Sequence, residues 1–120
     1  MTDHPVRLRR VYDPPEAGDG MRVLIDRLWP RGMTKAKAAV DIWLKELAPS
    51  NELRKRFGHD PAKWADFEAD YRAEIAADPG PLAKLRALRR EGAITLLYAA
   101  HDTAHNNAVV VAALLDGEDC

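Results

Sequence analysis

Two short segments concentrate the side chains that can bind or transfer. The first, Asp26-Arg27-Leu28-Trp29-Pro30-Arg31-Gly32, sets two arginines four positions apart with an indole and a proline between them. Guanidinium groups so spaced can grip a phosphate or carboxylate bidentately. Trp29 offers a flat face for a base or other planar group. The structural alternative puts Trp29 in the core and pairs the arginines with Asp26 or nearby acids.

The second segment is His101-Asp102-Thr103-Ala104-His105-Asn106-Asn107. Asp102 or Thr103 can cap a following helix, which predicts His105 and Asn106 in its first turn, where free backbone N–H groups attract anions. A histidine in that place can serve as general acid or base near neutral pH. Alternatively, Asp102 only caps, and Asn106 and Asn107 bond neighbouring loops. The catalytic candidates are therefore His105 and Asp102, and the ligand-binding candidates are Arg27, Trp29, Arg31, Asn106 and Asn107. His101 and His105 invite a zinc reading, but His101 falls outside the expected helix and no third ligand follows at metal spacing. No metal is expected, and nothing in the sequence names a cofactor.

Other chemistry is excluded by pattern. The chain has no G-x-G-x-x-G loop, Walker loop or nucleophile elbow. Its one cysteine, Cys120, is the last residue, so an internal disulfide is excluded. Trp64, Tyr71 and Glu74 read as a core helix face with a solvated charge, and Ser50 as a helix cap.

These segments need a scaffold. The 120 residues carry 18 Lys+Arg against 19 Asp+Glu, a net charge of −1, and are 47% hydrophobic. That describes one globular domain over 1–120 and removes the electrostatic case for a nucleic-acid binder. A basic turn, Arg54-Lys55-Arg56, is the local exception. The N-terminus lacks an apolar signal region, and every apolar run falls short of the ~20 residues a spanning helix needs. The expectation is a cytoplasmic chain with no membrane partner.

Strands are predicted at Val6 to Tyr12, Arg22 to Leu28 and Ile94 to Ala100; the last two contain contiguous apolar runs, as expected when both faces are covered. Asp41 to Leu47 fits either a helix turn or a third strand. Helices are predicted from Ser50 to Gly58, after Asp60-Pro61, from Pro81 to Gly92, and from Thr103 to Leu115. Alternation of the two types gives an α/β fold, a small single domain whose mostly parallel sheet is flanked by helices in Rossmann-like layering. Right-handed crossovers then bring the carboxyl ends of Arg22–Leu28 and Ile94–Ala100 to one edge, where ligands bind in such sheets.

Asp26 to Gly32, Trp43 to Ser50, Tyr71-Arg72-Ala73-Glu74 and His105-Asn106-Asn107-Ala108 together resemble the family known as domain of unknown function 488, in its YeaO-like branch. The resemblance runs from about Val6 to Leu115 and implies a small cytoplasmic α/β domain. Its motif positions fall on Arg27, Trp29, Arg31, His105 and Asn106. Ala104 departs from it, standing where an acidic residue is expected before the His-Asn pair, which transfers any carboxylate role to Asp102.

The leading expectation is an enzyme acting on a small anionic, nucleotide-like molecule. Arg27 and Arg31 would hold the anion and His105 with Asp102 would move protons. The alternatives are a non-catalytic metabolite-binding module using the same pocket, or a nucleic-acid-associated protein, against which the net charge counts. The apolar and aromatic content is also enough to cover a homodimer interface.

Overall fold

A computed structural model describes residues 4–116 of the chain; Cys120 lies outside the described residues. The strands are β1 (Val6–Arg10), β2 (Met21–Leu24), β3 (Ile42–Trp43) and β4 (Ile94–Tyr98). They form one sheet in the order β1-β4-β2-β3, with every pairing parallel. β4 is central and buried along its whole length, as its contiguous apolar sequence requires. Leu96 is in register with Leu8 on one side and Val23 on the other.

The helices are α1 (Lys35–Ala38), α2 (Asn51–Phe57), α3 (Trp64–Ala77), α4 (Gly80–Glu91) and α5 (Asn107–Leu115). Ser50 caps α2 by accepting the Leu53 amide, and Gly58 ends it in the left-handed conformation. Side chains alternate across a strand, so Ile94, Leu96 and Tyr98 join the large core with Phe67, Tyr71, Leu85 and Val110. Leu97 points the other way, into a smaller cluster with Val11, Leu24 and Ala38. Beside it, Arg22 is buried, donating to Asp19 and to the carbonyls of Ala38 and Ala39. The helical cover is thus unequal, since α2–α5 all serve the larger core.

Several element boundaries differ from expectation, and β1 and β4 each end two residues early, at Arg10 and Tyr98. β2 stops at Leu24 because Asp26 turns its carboxylate onto the Ala99 amide, and the chain leaves the ladder. The Asp41–Leu47 alternatives are both realised in part, as a two-residue strand at Ile42–Trp43 followed by a 3-10 turn at Lys45–Leu47. α5 begins at Asn107 rather than near Thr103. Among the described residues, no helix is long and apolar enough to cross a membrane.

Candidate functional site

β2 and β4 are parallel neighbours, so the segments that follow them leave the same edge of the sheet. A cavity of about 710 Å³ opens there. The segment after β2 lines it with Arg27, Trp29 and Arg31, and the segment after β4 with Asp102, His105, Asn106 and Asn107. All seven sequence-derived candidates therefore face one space.

The first segment is braced by its own aromatics. Trp29 donates its indole N–H to the Met33 carbonyl at 2.7 Å and meets Trp43 edge-on at 5.5 Å between ring centres. Trp43 in turn donates to the Asp26 carbonyl at 2.7 Å. The two arginines are not equivalent. Arg27 reaches the carbonyls of Ala48 and Pro49, both at 3.4 Å, and so ties this loop to the turn before α2. Arg31 is exposed, and its guanidinium makes no hydrogen bond or ion pair among the described residues. Neither arginine forms an ion pair among the described residues, but Trp29 packs, partly buried, against the smaller core cluster, so the core half of the structural alternative holds and the ion-pair half does not.

In the second segment the helix cap is Asn106, whose side-chain oxygen accepts the Val109 amide at 3.2 Å while its Nδ2 donates to the Asp102 carbonyl at 2.9 Å. Asp102 does not cap α5. Its Oδ1 accepts the amides of Ala104 and His105 at 2.9 and 3.0 Å, closing a local turn. Short polar side chains make such turns when the nearest free amides lie two and three residues on. His105 consequently precedes the cap instead of sitting in the first turn.

Asp102 Oδ2 lies 2.9 Å from His105 Nδ1. The Ala104 amide, followed by the His105 side chain, holds the Asp102 carboxyl below its ordinary range. A carboxylate can only accept, so it fixes a proton on Nδ1 and leaves Nε2 as the acceptor of the neutral ring. Trp64 packs edge-on against the same imidazole at 5.2 Å.

Asn107 is buried and locks the two segments together, donating to the Ile25 carbonyl at 2.9 Å and to Asp26 Oδ1 at 3.1 Å. Asp26 also accepts the Ala99 amide at 2.9 Å. Burial pushes its carboxyl up, and the bonds from Ala99 and Asn107 only partly oppose this. A carboxyl raised by desolvation in a cleft is a functional-site signal, and Asp26 was not among the candidates. Its position directly past a strand's carboxyl end was the clue available in the sequence. His59 also lines the cavity, held at φ 58° just after Gly58.

Behind Arg27, Glu74 accepts both the Ser50 hydroxyl at 2.6 Å and the Ser50 amide at 2.9 Å, so it is not the solvated charge that its helix position suggested. Tyr71 is fully buried and donates its hydroxyl to the Leu47 carbonyl. Among the described residues, no three His, Cys, Asp or Glu side chains are arranged to hold a metal ion.

Residues 5–119 match the family DUF488-N3i, described as the inactive DUF488-N3 subclade. The chain is 44% identical over 107 residues to the uncharacterized protein YeaO of Escherichia coli (strain K12), covering 89% of this chain and 93% of that one. It is 41% identical over 112 residues to the uncharacterized proteins Mb3100c of Mycobacterium bovis and Rv3073c of Mycobacterium tuberculosis, covering 93% of this chain and 94% of theirs. No solved structure matches it significantly.

Proposed function

The chain belongs to the DUF488 family, in the subclade described as inactive, and from that premise we propose that it is a cytoplasmic, non-catalytic binding module for a small anionic, nucleotide-like ligand. The observation that carries this reading is Arg31, an exposed guanidinium at the cavity that no acid among the described residues occupies. Such a group can grip a phosphate or carboxylate in bidentate fashion. Arg27 and Arg54 line the same cavity and add positive potential. Trp29, its ring fixed by the bond to Met33, supplies a preorganised flat surface. The volume lies in the range of small-molecule sites. A net charge of −1 disfavours a nucleic-acid polyanion as the partner.

One observation favours acid–base catalysis as a second reading, namely the His105–Asp102 pair at 2.9 Å. Thermal unfolding with inorganic phosphate, nucleoside monophosphates, sugar phosphates and small carboxylates tests both. One class should stabilise wild type, by about 2.7 kcal/mol at a hundredfold excess over Kd, with the shift lost in Arg31→Ala and the ligand recovered unchanged. Turnover that His105→Ala abolishes would favour the enzyme. Absence of any shift in wild type would remove both readings.

A further inference from the structure

Resting on that binding reading, the geometry points to a bipolar ligand: an anionic end for Arg31 and a hydrogen-bond-donating end, best an ammonium, for Asp26. The two groups line the same cavity. Asp26 receives one N–H on each carboxylate oxygen, from Ala99 and from Asn107. A carboxylate has about four acceptor sites, so each oxygen keeps one open. Asp26 makes no ion pair among the described residues, and Arg54 and His59 act on it only from longer range.

The other acid of the cavity is already committed, since Asp102 holds two amides on one oxygen and His105 on the other. The cavity therefore combines an open cation with an open, poorly solvated carboxylate. A ligand carrying only negative charge satisfies the first and leaves the second desolvated, which is costly. A donor on the same molecule answers both. The role of Asp26 in joining the ends of β2 and β4 explains why two acceptor oxygens are needed there. It does not explain why a carboxylate without a cation partner borders an open cavity.

The test uses the full chain and three phosphate monoesters that differ only at the far end: ethyl phosphate, 2-hydroxyethyl phosphate and 2-aminoethyl phosphate. Their dissociation constants are measured at neutral pH by ligand-observed NMR. The amine should bind about tenfold more tightly than the ethyl ester, the worth of one charge-assisted hydrogen bond, with the hydroxyl between them. Asp26→Asn should erase that order. If this variant fails to fold, because an amide there meets the Asn107 Nδ2 donor, the wild-type order alone decides. Equal affinity for the three overturns the bipolar ligand and leaves the anion site standing. If none of the three binds, the anion site falls and the inference with it.

Discussion

Asp19 and Arg22 meet at 2.6 Å in an ion pair whose side chains are 2% and 4% exposed. It lies on the face of the sheet away from the main core, and the Thr95 hydroxyl donates to the Asp19 carbonyl beside it. Removing one partner of such a pair strands a buried charge. Asp19→Asn should therefore lose roughly 3–5 kcal/mol in urea unfolding. Adding Arg22→Met to that variant should recover only part of the loss, because the uncompensated charge is gone but the Ala38 and Ala39 carbonyls lose their donor.

The same pair contributes to the acid limb of stability, alongside the depressed carboxyl of Asp102. Burial works against the Asp19 carboxylate, but the Glu16 amide and Arg22 outweigh it and hold the carboxyl below its ordinary range. A depressed folded-state pKa gives stability that is present above the unfolded value and lost as pH falls through the folded one. Asp26 has the opposite sign: its raised carboxyl favours the folded state at low pH, and that contribution is lost as pH rises through the folded value. Urea midpoints should fall on acidification below about pH 4, and Asp19→Asn should show a shallower fall.

Ser50→Ala removes the cap of α2 and both empties and unpairs one side of Glu74, whose carboxylate takes the Ser50 hydroxyl at 2.6 Å. The expected cost is about 2 kcal/mol in urea unfolding. Ser50→Thr keeps the oxygen and should restore most of it.

Asn107→Ala withdraws the donor shared by the Ile25 carbonyl and Asp26. A buried and a partly buried acceptor lose a partner, for a cost of roughly 2–4 kcal/mol. Because that bond opposes the upward shift of Asp26, its carboxyl should titrate still higher in the variant, as followed by carbon-detected NMR.

Gly20→Ala tests the backbone itself. Gly20 sits at φ 63°, ψ −137°, and a Cβ there would come within 2.1 Å of the Ala93 carbonyl oxygen. Neither the conformation nor the approach suits an L side chain. The loss should be about 3 kcal/mol or more, read from the thermal midpoint.

The scaffold was legible where the signals were local. The apolar run at Ile94 to Ala100, the Ser50 cap and the Gly58 stop each carry their meaning within a few residues; the cap and the stop stand in the structure, and the run forms a strand as far as Tyr98. The start of α5 was misplaced because Asp102 and Asn106 are both competent caps, and only the turn made by Asp102 decides between them. The roles of Asp26 and Glu74 were hidden for another reason. The Asp26 partners Ala99 and Asn107 stand 73 and 81 residues away, and Ser50 is 24 residues from Glu74. Only the fold makes such pairs neighbours. The four residues of α1 are too few for a periodic signal.

The chain contains three tryptophans, and each stands at or beside the cavity: Trp29 in its lining, Trp43 packed on Trp29, and Trp64 on the His105 imidazole. The tryptophan emission of the protein, excited selectively at the red edge, thus comes wholly from the neighbourhood of the candidate site. Anything that enters between the two segments changes the surroundings of an indole. The unlabelled molecule carries its own optical reporter of occupancy.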